Sequence, residues 1–319
     1  MKPRYISLEP LIQWRIGPRP LDLRSLFGRE APVEVEIGFG SGDYLVKQAM
    51  EQPHKNFIGI EVAWLSIRNA LRKIALCQAN NVRVIQGDAR VLFKRLFHQQ
   101  SLDKVYCLFP CPWPKKRHIK HRLFDASFLK LMNSRLKDSG IAVIVTDHRP
   151  YYEWILEQTQ SSGFEITTET CPPGYSTKYE KKWLEQGQME FFRIKMKKIV
   201  HLKIPVEEDI ALKTHILEDF SPEHFQPKGR KNLAVVEFKE SLYDPLRQKA
   251  MVRAMVAEGS FVQNFWIEII RDGTRWRIRP ARGCSIVPTV GVQEALDFLY
   301  ESIRQDNSAS QKRENTGIS

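Results

Sequence analysis

Three acidic residues stand at the ends of short apolar segments in the first third of the sequence. They are Glu36, Glu61 and Asp88. The first of these segments runs into a glycine cluster with the spacing G-x-G-x-G, formed by Gly38, Gly40 and Gly42. Glycines at such a turn let a backbone approach a ligand closely, and they open the N-terminus of a helix towards it. The pattern predicts a ligand site made of backbone amides and carboxylates.

The charge of these residues indicates which ligand fits. No basic residue accompanies the three acids, so a phosphate would be repelled, and the glycine spacing differs from the G-x-G-x-x-G of dinucleotide sites. Glu61 follows Gly38 by 23 residues, which suits an acceptor for two ribose hydroxyls. Asp88 is placed to accept from an adenine amine. A ligand with a sulfonium, an amine, a ribose and an adenine is S-adenosylmethionine, the cofactor that we predict. The alternative is that Glu61 and Asp88 only cap helices.

A second feature is the basic stretch FPCPWPKKRHIKHRLF at residues 109–124, which follows another apolar segment. It contains no acid, and its five Lys and Arg side chains are Lys115, Lys116, Arg117, Lys120 and Arg122. Such a run predicts contacts with nucleic-acid phosphates, which position a substrate without reading its sequence. The alternative is a solvated charged loop. Trp113 is either a platform for an unpaired base or a core residue. His118 and His121 have no third ligand at metal-site spacing, so we expect no metal.

The charge distribution along the chain supports a polyanionic partner. The 319-residue chain has a net charge of +12, and residues 201–319 contain equal numbers of basic and acidic side chains. The whole excess therefore lies in residues 1–200, which favours nucleic acid as a partner over a generally basic surface. The five cysteines are odd in number and form no C-x-x-C pair, which is typical of the cytoplasm. No apolar run is long enough for a membrane span, so no membrane is expected.

These features need a fold that brings the segment ends together. Residues 33–197 alternate β-type segments with amphipathic ones, which predicts an α/β fold with a mainly parallel sheet and helices on both faces. The first five strands are expected at residues 33–37, 57–61, 82–86, 103–109 and 140–146. Ligands of such sheets bind outside the carboxyl ends of the strands, where the acids, the glycines and the basic stretch all lie.

The chain is expected to divide into a first domain, residues 1–200, and a smaller α+β domain, residues 201–306. In the second domain we expect strands at 233–238, 261–270 and 275–278 and helices at 245–257 and 292–304. Residues 307–319 are polar and are expected to be disordered. A second basic cluster either extends an RNA surface or is neutralised by acids of its own domain. It consists of Arg271, Arg275, Arg277, Arg279 and Arg282.

Five motifs, in the same order over residues 30–197, resemble those of the bacterial tRNA (guanine-N7-)-methyltransferases. They are EIGFGSG, FIGIEV, VRVIQGDA, FPCPWPKKRHIKHRLF and TKYE. The resemblance implies a Rossmann-like class I methyltransferase fold, a seven-stranded sheet with an antiparallel last strand. It implies S-adenosylmethionine-dependent methylation of G46 in the tRNA variable loop, and cofactor roles for the acids and glycines above. It implies tRNA or guanine roles for Lys115, Arg117, Asp147, Thr177, Lys178, Tyr179 and Glu180.

Cys111 is the departure from this family, which has Asp at that position. Guanine N7 carries an in-plane lone pair and needs no deprotonation, so direct methyl transfer depends mostly on positioning. A carboxylate near the positive charge of the product helps, and its loss at Cys111 is expected to weaken activity without abolishing it. Asp147 is the remaining carboxylate, suited to accept from N1–H and the N2 amine of guanine. Cys111 and Asp147 are therefore the predicted catalytic residues.

Two other functions stay open at this point. A Pro-Cys thiolate at Cys111 can attack C6 of a pyrimidine, because C5 is not nucleophilic by itself; this is the chemistry of C5-pyrimidine RNA methyltransferases. A protein that kept the fold and lost the aspartate can instead bind tRNA without catalysis. The pattern fits a monomer and a homodimer equally, and it assigns no role to residues 201–319.

Overall fold

The computed structural model describes residues 5–175, 180, 184–185, 187, 190–222 and 225–316 of the chain. The chain divides into two compact units, Met1–Glu208 and Asp209–Ser319. Each unit has its own sheet and its own buried apolar core. Across the described residues, no helix is both long and apolar enough to cross a lipid bilayer.

The described strands of the first unit form a seven-stranded sheet in the order β3-β2-β1-β4-β5-β7-β6. The strands are β1 (Val33–Ile37), β2 (Asn56–Glu61), β3 (Val82–Gln86), β4 (Leu102–Leu108), β5 (Leu136–Thr146), β6 (Phe164–Cys171) and β7 (Phe191–Lys198). The first five strands pair in parallel, and β7 is antiparallel to both β5 and β6. The predicted α/β fold, with its antiparallel last strand, is confirmed.

Helices connect these strands and cover the sheet. Those of the described residues are α1 (Leu23–Phe27), α2 (Asp43–Glu51), α3 (Trp64–Cys77), α4 (Ala89–Arg95), α5 (Ala126–Arg135) and α6 (Arg149–Gln158). Leu45 of α2 and Ile67 of α3 are fully buried in one core with Phe39. Gly59 of β2 leaves room for this packing, because a Cβ there would lie 2.5 Å from the Phe39 ring.

The strand order reverses between β1 and β4, which are neighbours in the sheet. β1 is buried along its whole length, as expected of a central parallel strand covered on both faces. The connections that leave the carboxyl ends of β1 and β4 run in opposite directions, and ligands of open α/β sheets bind in the crevice between them. The glycine cluster follows β1, and the basic stretch follows β4, so this crevice positions the predicted site.

The boundary expected from the sequence is at residue 200. The first unit extends past it, to Glu208. Asn133 at the end of α5 donates from Nδ2 to the carbonyl of Val200 at 3.0 Å. The buried guanidinium of Arg135 donates to the carbonyl of Ile204 at 2.6 Å. These side chains satisfy backbone groups of the extended segment, so the segment belongs to the first unit.

The second unit is an antiparallel sheet of described strands in the order β8-β13-β12-β11-β10-β9. The strands are β8 (His215–Leu217), β9 (Arg230–Lys231), β10 (Val235–Asp244), β11 (Lys249–Glu258), β12 (Phe261–Asp272) and β13 (Arg275–Pro280). The helix α7 (Val290–Thr316) shares one core with the sheet through Val292, Leu296 and Leu299. A smaller C-terminal α+β domain is therefore confirmed.

Two expectations for this unit are wrong. Residues 245–257, expected to be helical, form a turn and most of β11, in which alternate side chains from Ala250 to Val256 are buried. This segment is rich in residues that favour helices, but it forms a strand because every second side chain is buried on one face of the sheet. The last helix, expected to end at residue 304, continues to Thr316. Neither glycine nor proline occurs in residues 292–316, so nothing in the sequence stops the helix earlier.

Three of the five arginines in the cluster of the second unit form ion pairs with acids of the same unit. These ion pairs are Arg275 with Glu218 at 3.1 Å, Arg277 with Asp272 at 2.6 Å and Arg279 with Glu268 at 2.7 Å. Of the two alternatives for this cluster, neutralisation within its own domain is the one that the structure favours.

Candidate cofactor and RNA site

The glycine cluster forms the turn between β1 and α2. Gly38, Gly40 and Gly42 all have positive φ, at 73°, 56° and 76°, a conformation that other residues adopt only under strain. A Cβ on Gly42 would lie 2.8 Å from the Cβ of Ala70, so this glycine allows α2 and α3 to approach. At Gly38 and Gly40, no described atom lies within 4 Å of an added Cβ beyond the chain neighbours. That side of the turn is open to a ligand.

Glu36 lies at the base of a cleft beside this turn. The cleft has a volume of about 190 Å³. Its lining includes Glu36, Gly38, Gly40, Asp43, Tyr44 and Leu108. The Glu36 side chain is 2% exposed, and no described residue donates a hydrogen bond to its Oε2. Desolvation, reinforced by the negative charges of Asp43 and Glu61, raises the pKa of Glu36 to about 8. Such a carboxyl is suited to a cationic donor.

Glu61 and Asp88 both accept hydrogen bonds from backbone amides. Glu61 Oε1 accepts from the amides of Val62 and Ala63 at 2.8 and 3.2 Å, the two residues that precede α3. Its Oε2 accepts from the Gly40 amide at 3.1 Å. Asp88 caps α4 by accepting from the Arg90 amide at 2.7 Å. Asp88 therefore caps a helix, whereas Glu61 holds the residues that precede α3 and the glycine turn. Their ribose and adenine roles stay predictions.

Two further cleft residues follow directly on the glycine cluster and were not singled out from the sequence. Asp43 accepts hydrogen bonds from Ser41 Oγ and Lys73 Nζ, which fixes the first turn of α2. Tyr44 packs edge-to-face against Tyr106, with 5.6 Å between the two ring centroids. Both residues could have been identified from the sequence because they come immediately after GFGSG. The first turn of a helix that follows a glycine loop faces the ligand bound there.

The basic stretch begins as an exposed turn and then forms one 3-10 segment, Lys116–His121. The exposed cations are Lys115, Lys116, Arg117 and Lys120. Arg122 does not join them, which corrects the expectation that it binds phosphate. It is 6% exposed, its Nε donates to the Pro112 carbonyl at 2.9 Å, and its guanidinium stacks 5.0 Å from the Trp154 ring centroid. Arg122 therefore holds the turn against α6.

Trp113 and Cys111 both lie on the surface of this turn. Trp113 is 36% exposed, with its ring centroid 5.8 Å from that of His118 and 5.2 Å from that of His121. It is therefore not a core residue, and its role as a base platform stays a prediction. Cys111 is exposed. Among the described side chains, no group of three His, Cys, Asp or Glu is arranged to hold a metal ion.

The remaining predicted residues lie at the same edge of the sheet or beyond the described residues. Asp147 is half-buried directly after β5, the strand next to β4. Glu180 is 2% exposed, and its Oε1 accepts from the amides of Gly174 and Tyr175 at 2.7 and 3.0 Å. Thr177, Lys178 and Tyr179 fall outside the described residues.

The strand order, the antiparallel β7 and a glycine turn closed by the acid at the end of β2 define a class I methyltransferase. Residues 30–193 match the profile of a family described as "Putative methyltransferase". The chain is 44% identical over 171 residues to a tRNA (guanine-N(7)-)-methyltransferase of Chlorobium phaeobacteroides, covering 54% of this chain and 84% of that protein. The chain belongs to the tRNA (guanine-N(7)-)-methyltransferase family, so the resemblance of its motifs is confirmed.

Other relatives and solved structures match a similar share of the chain. The protein of that name from Thermotoga maritima is 38% identical over 181 residues, covering 56% of this chain and 58% of that protein. The solved 16S rRNA methyltransferase KamB is 12% identical, with a TM-score of 0.46, covering 56% of this chain and 93% of that one. The family profile ends at residue 193, so the second unit lies beyond it.

Proposed function

We propose that this protein methylates N7 of a guanine in tRNA, at G46 of the variable loop, with S-adenosylmethionine as donor and the cytoplasm as compartment. Family membership supports the reaction and the substrate. The assignment of S-adenosylmethionine as methyl donor rests on the Glu36 carboxyl. This group is buried in a cleft beside a glycine turn, and no described residue donates a hydrogen bond to its Oε2. An α-amino group is the cationic donor that this carboxyl can accept.

The cleft residues fit the parts of S-adenosylmethionine. Gly38 and Gly40 leave open space where the backbone can lie against the ligand. In this proposal Glu36 accepts from the amine, Glu61 from the ribose hydroxyls and Asp88 from the adenine amine. When bound, S-adenosylmethionine supplies an electrophilic methyl group on a sulfonium.

The exposed turn after β4 supplies the RNA contacts in this proposal. In this proposal Lys115, Lys116 and Arg117, which lie exposed in the segment after β4, neutralise tRNA phosphates. Trp113 is an exposed aromatic surface on the same turn, suited to stack an unpaired base. The phosphate contacts position the tRNA, and base contacts then select the guanine.

The residues at the reacting base have only to position it and to stabilise charge. Guanine N7 attacks through its lone pair and loses no proton, so no general base is required. Asp147 accepts from the Watson–Crick edge of the base, and the segment 177–180 takes part in holding the base in place. Cys111 lies where the family has a carboxylate, so the positive charge that develops on the base is less stabilised here than in relatives.

The proposal is tested by incubating the protein with unmodified tRNA and methyl-labelled S-adenosylmethionine, then identifying the labelled nucleoside. We expect 7-methylguanosine, lost when G46 of the transcript is replaced by adenosine. Glu36→Ala serves as the control for a cofactor-dependent reaction. A labelled 5-methylpyrimidine would support the C5 chemistry of Cys111 instead, and tRNA binding without any label would leave a non-catalytic binding protein.

A further inference from the structure

Glu180, from the TKYE motif, is fixed inside the protein. Its side chain is 2% exposed, and Oε1 accepts from two consecutive amides, those of Gly174 at 2.7 Å and Tyr175 at 3.0 Å. Charge-assisted bonds from two adjacent amides hold a loop in one conformation. The carboxylate therefore sets the position of the loop after β6, and through it the position of Tyr175.

The Tyr175 side chain is also fixed at its far end. Its hydroxyl accepts from Arg193 Nη1 at 3.2 Å, and Arg193 forms an ion pair with Glu169 at 2.8 Å on the neighbouring strand. A ring held at its backbone and at its hydroxyl has little rotational freedom left to lose when a ligand binds. Tyr175 is therefore a preorganised aromatic surface.

This ring lies at the junction of the cofactor cleft and the turn that carries Cys111. Its centroid is 5.6 Å from that of Tyr44, which lines the cleft. It is 6.4 Å from that of Phe109, whose chain continues directly into Pro110-Cys111. Tyr44, Phe109 and Tyr175 thus come from three separate elements to form one aromatic cluster, which reaches the cleft through Tyr44.

We propose that Tyr175 is the surface against which the target guanine stacks, and that Glu180 is a positioning residue acting through Tyr175. This inference rests on the proposed function, in which a guanine must lie flat beside the cleft with N7 towards the methyl group. A planar base stacks on an aromatic ring, and removal of such a ring costs about 1–3 kcal/mol per base. Because Glu180 accepts hydrogen bonds from the amides of Gly174 and Tyr175, its proposed role is to hold this loop and not to bind the edge of the base.

The stacking part is tested by comparing Tyr175→Ala with Tyr175→Phe, which keeps the ring and loses only the hydroxyl. Tyr175→Ala should lower kcat/KM for tRNA by about 5- to 150-fold, while Tyr175→Phe stays within about threefold of wild type. Calorimetry should find S-adenosylmethionine binding within about twofold of wild type for both variants, which also shows that they fold. Tyr243→Ala, an exposed tyrosine of the second unit, is the matched control.

The positioning part is tested with tRNA that carries inosine in place of the target guanosine. Inosine lacks the N2 amine and keeps N7. If Glu180 acts through Tyr175, Glu180→Ala lowers kcat/KM with either RNA, the ratio between the two RNAs is the same as for wild type, and Glu180→Ala adds little to Tyr175→Ala. Glu180→Gln keeps an acceptor oxygen and should recover most of the activity.

Two results would overturn the inference while leaving the proposed function intact. One is full activity of Tyr175→Ala in a preparation whose wild type forms 7-methylguanosine. The other is loss of the guanosine-to-inosine difference in Glu180→Ala, which would assign Glu180 to the N2 amine directly. Absence of 7-methylguanosine with the wild-type protein would instead overturn the proposed function itself.

Discussion

The Glu61 carboxylate accepts a hydrogen bond from the Gly40 amide at 3.1 Å, which ties the end of β2 to the glycine turn after β1. The other oxygen of the same carboxylate accepts from the amides of Val62 and Ala63, which lead into α3. One side chain thus joins the ends of two parallel strands and the start of a helix. The cleft keeps its shape because an acid at one strand end holds the backbone of the next.

Glu61→Ala should weaken S-adenosylmethionine binding by about 10- to 150-fold, a loss of about 1.5–3 kcal/mol. The ribose hydroxyls lose a charged acceptor, and the turn at Gly40 loses its partner. Isothermal calorimetry measures the effect directly. Asp22→Ala is the matched control, because Asp22 caps α1 by accepting from the Ser25 amide at 3.1 Å. If both variants bind the cofactor as wild type does, Glu61 only holds the backbone and does not contact the cofactor.

The pKa of Glu36 makes cofactor binding depend on pH. With a pKa raised to about 8 by burial, Glu36 is mostly protonated at neutral pH in the free protein. A cationic amine beside it favours the carboxylate, so binding releases a proton. Affinity should rise about tenfold per pH unit between about pH 6 and 8. Calorimetry in buffers of different ionisation enthalpy measures the number of protons released on binding. Proton uptake, or no change in bound protons, would contradict the assignment of Glu36 to the amine.

The same pKa shift destabilises the free protein as pH rises. The carboxyl ordinarily titrates near 4.5 and in the fold near 8, so between these values the folded state holds a proton that the unfolded state has lost. The free energy of unfolding should therefore fall by about 1.4 kcal/mol per pH unit across this window, relative to Glu36→Gln. Urea unfolding of both proteins between about pH 5 and 8 measures the difference. Parallel curves would mean that Glu36 is not desolvated.

The fold could be predicted where burial follows strand–helix alternation. The first and third strands have the expected bounds, because an apolar segment between two helices can only enter the sheet. The sequence of β11, KAMVRAMVAE, is rich in helix formers, and only its pairing with β10 and β12 makes it a strand.

The types of residue that form the site could be predicted from the sequence, but most of the contacts between them could not. Acids and glycines at strand ends indicate the cleft without any coordinates. The bonds from Gly40 to Glu61 and from Tyr175 to Glu180 depend on how loops close, and no local pattern encodes that. Arg122 has the composition of a phosphate ligand, yet cation–π stacking on α6 turns it inward.

The exposed turn after β4 should account for much of the salt dependence of tRNA binding. Changing Lys116, Arg117 and Lys120 together to glutamine should weaken binding and flatten the slope of log affinity against log salt by about one unit per lost phosphate contact. A filter-binding titration at several salt concentrations measures both quantities. The matched control changes three paired arginines of the second unit to glutamine: Arg253, Arg275 and Arg277. Weaker binding with an unchanged slope would mean that the turn acts through folding.

Cys111 provides the test that separates the two methylation chemistries. If it replaces the family's aspartate, N7 attacks the methyl group directly and no bond forms between enzyme and RNA. Cys111→Ser should then keep activity within about tenfold of wild type, because the residue neither attacks nor takes a proton. Cys111→Asp should keep or raise activity, since a carboxylate stabilises the positive charge that develops on the base. Rates of 7-methylguanosine formation measure both variants.

A C5-type nucleophile at Cys111 gives the opposite results. Serine is far less nucleophilic than a thiolate, so Cys111→Ser would be nearly inactive. RNA with a 5-fluoropyrimidine at the target position would trap the wild-type enzyme, because the covalent adduct could not lose its C5 substituent as a proton. We expect no trapped band and an active serine variant. A trapped band together with an inactive serine variant would overturn N7 methylation, although the motifs on both sides of Cys111 are those of the N7 family.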